Sequence, residues 1–234
     1  MRNGQMTLYK YISTEHADDI LNKKELLVSD GTTFNDPFEL KVLDKRSGTE
    51  SSVSGLWILC LTTSCKNKLM WSHYADSHKG LCLVVKVPKA LVYPVHYSSR
   101  RIFTDSNIDG ILKSGKAKQK KYQNKYLDNL SDKHKIALIK DKKWSYEKEW
   151  RLIFDKDDDQ ITADADKHFF NIEIERVYLG CRFEENEEDT KKKILSACES
   201  NKIVIQKMYL SRSSYAVEAE KVTQKGKGRE LVGV

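Results

Sequence analysis

Two glutamates, Glu147 and Glu149, stand one residue apart in the run WSYEKEWRLIF at residues 144 to 154. Read at period two, Tyr146, Lys148, Trp150, Leu152 and Phe154 fall on one face of a strand, and Glu147, Glu149, Arg151 and Ile153 on the other. At about 3.3 Å of rise per residue the two carboxylates lie roughly 6 to 7 Å apart, with a guanidinium next in line. Carboxylates at that separation could act on one substrate. The same residues also fit a solvated strand face on which Arg151 neutralises its neighbours, and the motif alone leaves both readings open.

Polar and aromatic residues interleave in two further places, LYKYIS (8 to 13) and LMWSHYADSHKG (69 to 80). On a helix, Trp71, Tyr74 and His78 share one face at spacings of three and four. That stripe is either core packing or a ligand platform, and His73, His78 and Asp76 make it wetter than most core faces. NDPFE (35 to 39) reads as a turn in which Pro37 fixes φ, with Asn35 or Glu39 facing a cleft as the alternative. The chain has no phosphate-binding GxxxxGK[ST] loop, no GxGxxG fingerprint, no GxSxG elbow and no HExxH zinc helix. Nucleotide triphosphatase, dinucleotide-fold dehydrogenase, serine hydrolase and zinc protease readings therefore lose support. Cys60, Cys65, Cys82, Cys181 and Cys198 are scattered, without the paired C-x-x-C spacing of a metal site, and read as reduced and structural.

The elements that must position these residues alternate irregularly. TLYKYIS is a strand, TEHADDILNKKEL a helix, and ELLVS a short strand. LWILCLTT reads as a buried strand, and KLMWSHYADSHKG as a short helix ending at Gly80. LCLVVKV, LVYPVHY, EWRLIF, KHFFNIEI and RVYLG follow as strands, ENEEDTKKKILSACES as a helix, and KIVIQKMYL and YAVEAEKV as closing strands. Strand-rich runs without regular helical crossovers predict an α+β fold of mainly antiparallel strands, in a single domain over 1–234.

The 234 residues suffice to bury a core without staples. The opening MRNGQMTLYK lacks an apolar leader segment, so the cytoplasm is the expected compartment. The formal charge is +7, yet eleven Lys against three Asp between Lys113 and Lys143 make a local +8, which leaves about −1 elsewhere. Tyr122, Tyr126, Leu127, Leu130, Ala137 and Leu138 recur there mainly at spacings of three and four, predicting one long Lys-rich helical insertion over 113–143. Its outer face is either solvated or attracts a nucleic acid or protein acceptor. Residues 222–234 read as a loosely held tail.

LYKY followed by a helix, FNDPFE, MWSHYADSHKG and WSYEKEWR, with the later VYLG, resemble the bacterial family catalogued as domain of unknown function 2971. More distantly, LYKYIS with its helix and ELLVS, LMW after a strand, and Glu147-x-Glu149 are similar to landmarks of the ADP-ribosyltransferase superfamily. That resemblance implies a split, mainly antiparallel sheet with NAD in the cleft, and no metal. It implies Glu149 beneath the ribose as the catalytic carboxylate and Glu147 as the group taking a proton from the acceptor. Lys10, standing where relatives carry His or Arg, would touch ribose or pyrophosphate. Tyr11, Trp71 or Tyr74 would hold the cationic nicotinamide ring, His78 would also bind the cofactor, and Arg151 would orient the glutamates. A toxin or phage-defence role is the biological expectation. A nonenzymatic nucleotide- or nucleic-acid-binding module and a protein-interaction domain are the competing readings.

Overall fold

The computed structural model describes residues 4–113 and 129–220. Strand β1 (Gln5–Ile12) leads into helix α1 (Ala17–Lys23) and strand β2 (Glu25–Asp30). The helix carries Asp18 and Asp19 in its first turn and Lys23 in its last, charges that suit its dipole. It ends where Lys24 turns left-handed and donates its N–H to the Ile20 carbonyl at 2.8 Å. Ala17 and Leu21, four residues apart, form its buried face. Replacing Leu21 by alanine would remove one of that face's two anchors, at about 2 to 5 kcal/mol.

Most strands join one large, mostly antiparallel sheet around β5 (Leu56–Thr62). One edge of β5 pairs along its whole length with β10 (Glu149–Asp155), from Glu149↔Thr62 to Asp155↔Leu56. Its other edge takes β2 at Ser29↔Ile58 and Asp30↔Trp57, then β1 at the single pair Tyr9↔Thr62. Beyond that pair β1 runs beside β6 (Leu81–Pro88), which pairs with β13 (Glu173–Leu179). After β13 come β14 (Val204–Leu210) and β15 (Val217–Ala219). Among the described named strands, the parallel pairs are β13 with β14 and β8 (His96–Ser98) with β9 (Ile139–Asp141).

Strand β6 shows why the sheet is buried on both faces. Leu81, Leu83, Val85 and Val87 alternate into the main core with Leu8, Leu59, Leu152 and Val177, under α1 and helix α5 (Glu188–Ser200). Cys82 and Val84 point the other way, into a smaller core with Tyr11, Met70 and Trp71, where helix α2 (Lys68–Tyr74) packs. Each fully buried aliphatic side chain contributes about 1.5 to 3 kcal/mol.

Two expectations change. Residues 113–143 are not one helix: the described part contains the short α4 (Asp132–Ile136), then β9, then a 3-10 turn over Lys142–Glu147. Ile136, Leu138 and Ile139 enter a core with Ile102 and Leu112, and that burial outweighs the helical spacing of the segment's apolar residues. Tyr122, Tyr126 and Leu127 lie outside the described residues, as does the tail 222–234. Helix α2 stops at Tyr74 and does not reach Gly80, because Asp76, Ser77 and His78 adopt φ of 44°, 51° and 73°. No helix among the described residues is long and apolar enough to cross a membrane.

Candidate functional site

The sheet opens at the Tyr9↔Thr62 junction around a cavity of about 280 Å³. Lys10 and Tyr11 of β1, Tyr74 of α2, Glu147, Glu149 and Arg151 all line it. Three separate sequence blocks therefore meet in one concavity. Trp71 and His78 do not line it. Trp71 is fully buried beneath, its indole N–H donating to the Cys65 carbonyl at 2.7 Å and its ring edge-on to Tyr11. His78 lies beyond the end of α2, its ring stacked on Trp71 at 6.5 Å, and faces a different groove. The shared helical face fails for His78 because the left-handed turn has already ended the helix.

Glu147 is not on a strand either. It closes the 3-10 turn, Lys148 follows with φ of 47°, and β10 begins at Glu149. From Glu149 onward the expected alternation holds: Leu152 and Phe154 enter the main core, while Glu149, Arg151 and Ile153 take the opposite face beside Thr62, Cys60 and Ile58. That face is covered rather than solvated. Arg151 is entirely inaccessible, and Glu149 and Glu147 are 4% and 3% exposed.

A closed ionic cluster results. Arg151 Nε donates to Glu149 Oε1 at 2.7 Å and its Nη2 to Glu149 Oε2 at 3.1 Å. The guanidinium also donates to the Ala137 carbonyl at 2.6 Å and to Glu39. Lys140 reaches Glu147 Oε2 at 2.7 Å, Glu149 Oε2 at 3.1 Å and Glu39 Oε2 at 3.5 Å. Tyr74 donates its hydroxyl to Glu147 Oε1 at 2.6 Å, and Tyr97 accepts the Glu149 N–H at 2.8 Å. Lys10 donates to the Cys60 carbonyl at 3.0 Å. Three buried carboxylates thus surround two buried cations.

The pKa values of the two glutamates of the motif are shifted in opposite directions. Burial raises the Glu149 pKa, but Arg151 and Lys140 outweigh it and bring the carboxyl down to about 2. Burial prevails at Glu147 and raises it, against the opposing pull of Lys140 and of the Tyr74 hydroxyl. The Tyr74 hydroxyl is itself pushed up, by burial first and then by Glu147, so it stays a donor. The site therefore sets one permanent anion beside a carboxyl whose proton is held more tightly than usual. Among the described residues no group of His, Cys, Asp and Glu side chains is arranged to hold a metal ion.

Two partners have little sequence signal. Lys140 sits between Ile139 and Asp141 in a segment whose many lysines read as a solvated helical face, so its burial is invisible until β9 pairs with β8. Glu39 follows NDPF, a turn held by Asp36, which accepts the Phe38 N–H at 3.0 Å; that turn delivers Glu39 to Arg151. The alternative in which Glu39 faces the cleft is the one observed. Asn35 lines the cavity too, donating weakly to the Tyr74 hydroxyl at 3.4 Å.

A family described as "Protein of unknown function (DUF2971)" matches residues 70–152. The chain is similar to that family over the span holding Tyr74, Lys140, Glu147, Glu149 and Arg151, while Lys10 and Glu39 fall outside it. No curated protein and no solved structure matches the chain.

Proposed function

We propose that this cavity is the site of an ADP-ribosyltransferase-like enzyme, which cleaves NAD and transfers ADP-ribose to a macromolecular acceptor. The observation that carries the reading is the convergence of Lys10, Tyr74, Glu147 and Glu149 on one cavity where the sheet divides. The fold line of support is the large antiparallel sheet whose halves meet at one residue pair, as a split-sheet NAD site requires. Tyr9, Tyr11 and Tyr74 give the cavity wall aromatic surface suited to a cationic pyridinium ring.

In this reading the bond between ribose C1′ and the pyridinium nitrogen breaks, and its electron pair leaves with nicotinamide. Glu149, ionised at any working pH, faces the positive charge that develops on the ribose. The acceptor nucleophile bonds to C1′ and gives its proton to Glu147, whose raised pKa makes it the better base. Lys140 and Arg151 hold both carboxylates in place. A toxin or phage-defence setting is part of the same proposal.

The test is nicotinamide release from NAD by the purified protein, alone and with nucleic acid and protein acceptors. Release that Glu149→Gln abolishes supports the reading. Absence of both release and NAD binding overturns it. A nonenzymatic nucleotide-binding cleft is the second reading, favoured by the ion pairs that already occupy both Glu149 oxygens. NAD binding that persists in Glu149→Gln, without release in either protein, selects it.

A further inference from the structure

A second groove, of about 570 Å³, shares no lining residue with the cavity. Its walls are Lys68 of α2, His78 in the left-handed turn, and the loop from Ser211 to Ala216 that joins β14 to β15. Among the described residues the lining contains no carboxylate. Nearby cations differ: Arg182 pairs with Glu185, Lys191 with Glu188 and Lys207 with Glu184. Lys68 and Arg212 form no ion pair among the described residues, and Lys68 instead lies 5.9 Å from the centre of the Tyr215 ring.

Tyr215 is 97% exposed, and Leu210 beside it is 66% exposed. Among the described residues none buries either, so an exposed apolar surface stands next to Lys68 and Arg212 and the hydroxyls of Ser211 and Ser213. His78 adds a buried Nδ1 without a hydrogen-bond partner among the described residues. An aromatic face, a guanidinium, an ammonium and several hydroxyls in one groove match a planar base attached to a phosphate.

We infer that this groove binds a nucleoside phosphate, either free or as one unit of a single strand. Arg212 and Lys68 hold the phosphate, the serine hydroxyls donate to its oxygens, and the base stacks on Tyr215. The site is independent of NAD chemistry in the cavity.

Fluorescence anisotropy of the full chain tests it, with labelled adenosine monophosphate and a short labelled single-stranded oligonucleotide as probes. Lys68→Glu combined with Arg212→Glu weakens binding about tenfold or more, and Tyr215→Ala about tenfold. Lys192→Glu combined with Lys193→Glu, the same charge change on exposed positions of α5, leaves binding within about twofold. The groove variants touch no residue that lines the cavity, so the loss of binding they cause separates this site from the cavity. Mononucleotide binding identifies a free nucleotide as a ligand, and binding of the oligonucleotide alone identifies a strand. If neither probe binds, or if the α5 reversal weakens binding as much as the groove reversal, the inference is overturned. Tyr215→Ala changes a side chain that supports no packing, so its result stands even if the double reversal fails to fold.

Discussion

The ammonium of Lys140 lies 3.1 Å from Glu149 Oε2, and both groups are buried. Glu147 and Glu39 approach the same nitrogen, so one lysine holds together three carboxylates that would otherwise repel one another in a medium of low dielectric. Burial lowers the lysine's pKa, but the carboxylates outweigh it and keep the amine charged well above its ordinary range. Replacing Lys140 by methionine keeps the volume and removes the charge. Arg151 alone then faces three carboxylates, and the cost is about 3 to 5 kcal/mol in urea unfolding. Adding Glu147→Gln recovers part of that loss, because one repelling charge goes with it. A Lys140→Met midpoint equal to wild type would show that the cluster does not hold these elements together.

Stability should depend on pH in opposite senses for the two motif glutamates. Glu149 has a folded value of about 2 against an ordinary 4.5, so its contribution is present above about 4.5 and is lost as pH falls toward 2. Glu147 is raised, so the folded state keeps its proton longer, and its contribution is full below 4.5 and declines as pH rises through the folded value. Urea midpoints measured from pH 7 to pH 3 should show a steep acid limb that Glu149→Gln flattens. Glu147→Gln should instead remove a decline above pH 4.5. Identical profiles for the two variants would contradict these opposite shifts.

The outward face of β10 was legible in the sequence because alternation needs only local spacing: Leu152 and Phe154 go inward, Glu149 and Arg151 together to the other side. What lies over that face was not. Lys140 and Glu39 reach Arg151 and Glu149 from nine or more residues away, and their burial depends on the parallel pairing of β8 with β9 and on the turn at Asp36. A lysine among many lysines carries no mark that it will be enclosed. Likewise the spacing of Trp71, Tyr74 and His78 is helical, but three consecutive left-handed residues cannot be foreseen from Asp76, Ser77 and His78, since none is glycine.

Gly180 and Gly80 mark where that turn meets the sheet. The Gly180 N–H donates to the Gly80 carbonyl at 2.9 Å, and a Cβ on Gly180 would overlap the His78 carbonyl. Backbone cannot yield as a side-chain tip can. Gly180→Ala should therefore cost about 1 to 3 kcal/mol and lower Tm, although the position does not line the cavity. Gly48→Ala, by contrast, meets nothing within 4 Å but has a φ of 70°, so its smaller cost is conformational. Differential scanning fluorimetry of the two variants distinguishes them, and a Gly180→Ala protein as stable as wild type would mean that β13 and the His78 turn are not packed this closely.

Cys60 is the one cysteine in the cavity wall, paired in register with Arg151 and close to Glu149. Its position invites a nucleophilic reading, yet loss of water raises the thiol's pKa strongly, and the neighbouring Glu149 carboxylate raises it further against Arg151 and Lys10. The reactive thiolate is thus suppressed where a covalent mechanism would need it. Iodoacetamide at neutral pH should modify Cys60 at least about a hundredfold more slowly than free cysteine, with full labelling only after unfolding in urea. Glu149→Gln removes the nearest anion and should speed labelling without restoring the rate of an exposed thiol. Peptide mass spectrometry over a time course reads both effects, and rapid alkylation of Cys60 in the folded wild type would return a cysteine nucleophile to consideration.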